Sequence, residues 1–103
     1  MVAQGELWLL EPSNGKRRPV LVVSRNEAIP VLNNLVVAPV TSTIRLIPTC
    51  IAVGRDEGID HDSVANFDNL ASVPKTALTT RLGSLGSEQR HRICEALRAL
   101  ADC

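Results

Sequence analysis

Aromatic side chains are nearly absent from this sequence of 103 residues: Trp8 and Phe67 are its two, and tyrosine does not occur. A surface paved with rings is unavailable, which argues against RNA readers that stack bases on aromatic platforms. Cysteine is scarce too. Cys50, Cys94 and Cys103 form an odd set with no Cys-x-x-Cys pair and no cysteine/histidine ligand spacing, so neither a disulfide framework nor a zinc site is indicated. Free thiols in a reducing cytoplasm are expected. No apolar run approaches the ~18 residues that span a bilayer, and the amino terminus has no basic region followed by an apolar core. These gaps lead to the expectation of a soluble cytoplasmic protein without a membrane partner.

Net charge is missing as well. Eleven basic and eleven acidic residues cancel, which removes the simple argument that a strongly positive chain must seek nucleic acid. The distribution is uneven, however: residues 1–55 carry six Lys/Arg against three Asp/Glu, and residues 56–103 carry five against eight. A local basic site therefore remains open.

What is present is apolar material for a core. At 45% hydrophobic residues, mostly Val, Leu, Ala and Ile, the chain is not disordered, and its length suits one domain over 1–103. No repeat, linker or low-complexity segment divides it. The run 6–10 predicts a strand that ends before Pro12, and residues 13–18 have turn composition with a basic end. Val20-Leu21-Val22-Val23 is β-branched and too short for a helix, so it predicts a second strand. Leu35 to Ala38 predicts a third, with Pro39 marking an edge or a bulge where regular pairing is left. A fourth is expected over 49–53, a solvated acidic loop over 54–62, and short segments over 63–73 and 77–82. Ser87 is placed to cap a helix carrying Ile93, Ala96, Leu97 and Leu100 on one face. The expected fold is mainly β, a small, strongly bent or barrel-like sheet of five or six short strands with a C-terminal helix.

Three clusters bear on chemistry. Lys16-Arg17-Arg18 puts three cations in a turn before a strand, where arginine can fork onto two phosphate oxygens; a solvated basic loop is the alternative. Thr41-Ser42-Thr43 follows Pro39 at a strand exit, where hydroxyls can donate to a phosphate or a transition-state oxygen, or simply form a turn. Asp60-His61-Asp62 lies in the acidic loop with no spacing of a calcium or zinc motif and is read as solvated. His91, between Arg90 and Arg92, is a surface position. Cys94 beside Ile93 is read as a small core residue and terminal Cys103 as inert. No serine, cysteine or carboxylate set of the ordinary hydrolases is evident. Phosphoryl transfer in a substrate that brings its own nucleophile stays possible, and RNA, through its 2′-hydroxyl, is such a substrate.

In order, Gly5-Glu6-Leu7-Trp8, Arg18-Pro19-Val20-Leu21-Val22-Val23-Ser24, Ala38-Pro39-Val40-Thr41-Ser42, Ser63 through Lys75 with Asp68-Asn69-Leu70, and Leu78-Thr79-Thr80-Arg81-Leu82-Gly83-Ser84-Leu85 resemble the MazF/PemK/Kid toxin family. The likeness spans nearly the whole chain, and the Arg-Pro strand followed by Pro-x-Thr is its most specific part. The resemblance implies an SH3-like or CcdB-like barrel forming a homodimer. It further implies a toxin of a type II toxin–antitoxin system, held by a cognate antitoxin and needing neither metal nor other cofactor. The implied activity is sequence-specific cleavage of single-stranded RNA (mRNA, tRNA or rRNA), through 2′-OH attack that leaves 2′,3′-cyclic phosphate and 5′-OH ends.

By matched position the resemblance places the catalytic arginine on Arg18 and the catalytic threonine on Thr41. Asn14, Lys16, Arg17, Ser42 and Thr43 are expected RNA contacts. The chain lacks the carboxylate that some members carry just before the arginine, so an acid/base role for such a group has no counterpart here. Whether Arg18 moves a proton or only stabilises charge is left open, since a guanidinium in water holds its proton to above about pH 12. Related barrels also serve without catalysis, so a CcdB-like gyrase poison and an inactive binding barrel stand as alternatives.

Overall fold

The apolar run 20–23 shows no alternation with polar residues because both of its faces are buried. The structure, a computed structural model, describes residues 2–13 and 15–101. Its elements follow in the order β1 (Glu6–Leu10), β2 (Arg18–Val22), β3 (Asn34–Thr41), β4 (Cys50–Val53), β5 (Ser63–Asn66), β6 (Ala71–Pro74), β7 (Leu78–Ser84) and α1 (His91–Ala101). The strands form one curled half-barrel sheet in the order β4-β5-β3-β2-β1-β7, with β6 added on β3 and every pairing antiparallel.

Side chains alternate across the central strands and divide the core in two. Leu21 and Val23 join Leu7, Ala38, Ile51, Phe67 and Ile93 on one face, whereas Val20 and Val22 join Ile29, Leu35, Val37 and Leu78 on the other. Helix α1 covers the first face through Ile93, Ala96 and Leu97. The mainly β class and the closing helix agree with the sequence reading.

Several details differ. The stretch 63–73 is two strands rather than one, which brings the total to seven. The chain turns between them because the Asp68 N–H donates to Asn66 Oδ1 at 2.9 Å and Phe67 inserts fully into the core. Pro39 does not end its strand. It lies inside β3, whose register partners on one edge are β6 up to Val37 and β5 from Val40 onward, so the residue without an N–H sits where the ladder changes hands.

The acidic loop is ordered rather than merely solvated. Residues 55–57 make a 3-10 turn, the Gly54 N–H donates to Glu57 Oε1 at 2.7 Å, and Ile59 is buried. Gly58 has φ of 91°, and a Cβ there would stand 2.1 Å from the Leu82 carbonyl oxygen; a Cβ on Gly83 would stand 2.2 Å from that of Glu57. Only glycines let the loop and β7 approach so closely.

Helix α1 begins at His91, later than a Ser87 cap requires. The preceding turn is closed by Gln89, whose side chain accepts the Gly86 N–H at 2.9 Å. Cys94 is exposed, not a core residue, because the stripe of buried Ile93 and Ala96 with half-buried Leu97 leaves it off the packed face. Leu100 shares the face of that stripe but is 41% exposed at the last turn of the helix. Cys103 lies outside the described residues.

Candidate active site

The sequence expects Arg18 in a loop before a strand, but it is the first residue of β2 and pairs with Leu10 of β1. The register between β2 and β3 runs Val22 with Val37, Leu21 with Ala38 and Val20 with Pro39, and stops there. Beyond that point β2 stays with β1, while β3 continues with β5 through Val40 and Thr41. The two central strands thus fork. Two prolines stand at the opening, Pro19 and Pro39, each lacking a ladder donor where the pairing ends. Continued by two places, the same register would set Arg18 opposite Thr41, and the fork places both on the walls of a cleft of about 680 Å3.

Lys16, Arg17, Arg18, Thr41, Ser42 and Thr43, all expected from the sequence, line this one cleft. Asn14 lies outside the described residues. Arg18 is exposed, Thr41 half-buried. The Thr41 hydroxyl oxygen accepts the Thr43 N–H at 3.2 Å, which orients the side chain and leaves its O–H proton to donate. Arg17 is drawn toward Glu11 at 3.9 Å, so part of its charge is answered within the protein.

Sequence reasoning missed Arg45, Asn66 and Asn69, which line the cleft from the 3–4 connection and from the turn after β5. Nothing local marks them. Asn66 and Asn69 reach the site because β5 pairs with the end of β3 that carries Thr41, whereas Arg45 follows Thr41 by four residues along the chain. His61, read as part of a solvated acidic loop, also lines it. Four cations face the cleft, and among the described residues no carboxylate does. Such a surface suits a phosphodiester, with amides and hydroxyls to read what surrounds it.

A larger hollow, about 840 Å3, adjoins the cleft and shares His61 and Ser63 with it. Its walls carry Asp56, Glu57 and Asp62 against Arg55, so its charge is wrong for phosphate. Elsewhere, burial pushes the Cys50 thiol up, the Asp68 carboxylate adds to this, and Arg45 only partly opposes it. Cys50 is accordingly a protonated thiol rather than a nucleophile. His91 is on the surface, 3.9 Å from Glu95. Among the described residues no three His, Cys, Asp or Glu side chains converge on a metal-sized site, and no helix is long and apolar enough to cross a membrane.

A family model described as a PemK-like, MazF-like toxin of type II toxin-antitoxin system matches residues 3–101. The chain is 40% identical over 102 residues to the Probable endoribonuclease MazF5 of Mycobacterium tuberculosis, covering 98% of this chain and 94% of that protein. It is 34% identical over 101 residues to the Probable endoribonuclease MazF2 of the same organism, with 97% and 98% covered. Among solved structures, the Mycobacterium tuberculosis toxin MazF-mt6 matches with a TM-score of 0.85 at 31% identity, covering 94% of this chain and 96% of that one. A mycobacterial endoribonuclease in complex with its cognate antitoxin matches with a TM-score of 0.84 at 26% identity, covering 99% and 96%. Sequence and fold agree from end to end of the described chain, and this protein belongs to the PemK-like, MazF-like toxins of type II toxin–antitoxin systems.

Proposed function

We propose that this chain is a sequence-specific, metal-independent endoribonuclease toxin that cleaves single-stranded RNA in the cleft between β2 and β3. It acts in the cytoplasm as a homodimer of one-domain subunits and is held inactive by a cognate antitoxin. The observation that carries the reading is the presence of Arg18 and Thr41 on the walls of one basic cleft.

RNA supplies its own nucleophile. The 2′-oxygen next to the scissile phosphate forms a bond to phosphorus, the P–O5′ bond breaks, and the products are a 2′,3′-cyclic phosphate and a 5′-hydroxyl. Negative charge grows on the non-bridging oxygens as this happens. Arg18, an exposed guanidinium at the start of a hydrogen-bonded strand, stabilises that charge, and the Thr41 O–H donates to the same phosphate. Both sit on paired strands, so little reorganisation is needed when substrate arrives. Lys16 and Arg17 hold neighbouring phosphates, joined by Asn14. Ser42 and Thr43, together with Arg45, Asn66 and Asn69, offer donors and acceptors to base edges. An acidic antitoxin segment lying along the cations would exclude RNA directly.

The test is incubation of the purified protein with a long unstructured RNA in EDTA, with mapping of the cut ends and Arg18→Ala as control. Discrete cuts bearing 5′-hydroxyl ends, lost in Arg18→Ala, are expected. Intact RNA, or cuts that persist in Arg18→Ala at the same sites and rate, would overturn the assignment; uncut RNA is also what a gyrase poison would leave.

A further inference from the structure

Hydrogen-bonding capacity in the cleft is divided unevenly between giving and taking. The four cations donate only, and the hydroxyls do either. An asparagine ordinarily offers both, through its carbonyl oxygen and its NH2. Asn66 does not. Its Oδ1 already accepts the Asp68 N–H at 2.9 Å, and this fixes how the amide is turned, because a backbone N–H bonds to the oxygen and not to the NH2. What remains is the NH2, for which no acceptor stands among the described residues. Resting on the endoribonuclease reading above, we propose that Asn66 is a specificity-determining residue: it donates to the keto oxygen of a base beside the scissile phosphate, O4 of uracil or O6 of guanine. It discriminates against the amino group that cytosine and adenine carry at the same place.

The sheet sets Asn66 at a suitable distance from the reacting phosphate. Thr41 of β3 lies opposite Val64 of β5, and Asn66 is two places further along β5. Val40 and its partner Ala65 turn into the core, so Thr41 and Asn66 share the opposite face, that of the cleft. Diagonal neighbours of this kind stand about 7–8 Å apart, so a phosphate held by Thr41 has the base of an adjoining nucleotide within reach of Asn66.

The turn that carries the amide is held from three sides. Phe67 is fully buried, its N–H donates to the Thr49 carbonyl at 2.8 Å, and the Thr49 hydroxyl donates to Asp68 Oδ2 at 2.8 Å. Asn66 is itself half-buried, so its NH2 is aimed before RNA arrives, and a base that sets an amino group against it leaves two donors face to face. Asn69, at the end of the same turn, has no side-chain bond among the described residues and keeps both capacities. Sorting keto from amino therefore falls on Asn66.

The experiment maps cut ends on a complex RNA pool for wild type, Asn66→Asp and Asn66→Ser. Both replacements cap a turn about as well as asparagine, so melting temperatures should stay close to wild type. In the aspartate variant one oxygen takes the Asp68 N–H and the other presents an acceptor where the NH2 stood. Wild type should favour U or G at one position next to the cut. Asn66→Asp should favour C or A at that same position, with preferences at the other positions kept, and Asn66→Ser, whose hydroxyl both gives and takes, should lose the preference there. Four short RNAs that differ only at this position show which keto base is taken. Their kcat/KM values should favour it over the amino bases by roughly 5- to 150-fold in wild type, the range for a discriminating base contact, and the ratio should invert in Asn66→Asp. Cleavage by Asn66→Asp falls for every RNA, because a carboxylate has been added to a basic cleft; the ratio between bases is the readout. A wild-type pattern with no keto preference beside the cut, or base preferences unchanged in both variants, would overturn the assignment while leaving the nuclease reading intact. Failure of wild type to cut any RNA in the pool would remove both.

Discussion

Arg18 and Thr41 differ in what each loses on truncation. Arg18 brings a charge and a planar fork, so Arg18→Ala should slow cleavage by roughly 100- to 1000-fold, the usual cost of one well-placed charge stabiliser. Because the side chain is exposed, the thermal midpoint should not move. Thr41 brings one hydroxyl aimed at an anion; its loss in Thr41→Ala should cost about 1.5–3 kcal/mol, roughly 10- to 150-fold in rate, with Thr41→Ser largely active. Single-turnover kinetics on one RNA would check both. Glu6 carries a stability prediction instead. Burial would push its carboxyl up, but N–H donors from Trp8, Arg81 and Ala3 and the Arg81 charge outweigh that and hold it below its ordinary value. A lowered folded value means the stabilisation is present above the unfolded value and is lost as pH falls through the folded one. Glu6→Gln should therefore be less stable than wild type at pH 7, on the order of 1 kcal/mol, and the difference should close in acid, as read from urea midpoints.

Among elements, the loop 54–62 and β7 are coupled through two glycines, and that coupling was hidden in the sequence. Charge and two glycines suggested a solvated connection; nothing local says that Gly58 will face Gly83 across backbone too close for a methyl group. Gly58→Ala meets both a carbonyl in its path and a positive φ, and should cost ~1–3 kcal/mol, measurable as a lower urea midpoint. The strands were easier to read. The run 20–23 and the segment before Pro12 are short apolar stretches bounded by breakers, whereas 63–73 concealed a turn whose cause is the burial of Phe67 and the Asn66 side-chain bond. The site divides the same way. Arg18, next to Pro19, and Thr41, two places after Pro39, were expected from ordered motifs and line one cleft; Arg45, Asn66 and Asn69 carry no such local mark, and the two asparagines are delivered by the pairing of β5 with β3. Helix α1 was placed several residues early because Ser87 resembles a cap, while the turn is closed by Gln89.

For the whole molecule, neutrality conceals polarisation. Equal numbers of acids and bases give no net charge, yet the cleft carries four cations and no carboxylate among the described residues, whereas its neighbour carries three carboxylates against one arginine. RNA affinity should therefore fall steeply with salt. Replacing Lys16 and Arg17 together by alanine should weaken binding and reduce the slope of log affinity against log salt by about 0.7 for each phosphate no longer neutralised, with fluorescence anisotropy as the readout on uncleavable RNA. An unchanged affinity and slope would remove both residues from the interface.

The forked central strands carry one more consequence. A gap framed by rungs of a sheet has a set width, and narrowing it means breaking rungs or creating new ones. The proposed site, cut into such a frame, has no shutter among the described residues and should be competent once the folded subunits have assembled. Restraint must then come from a second molecule occupying the gap, at a concentration that keeps pace with synthesis.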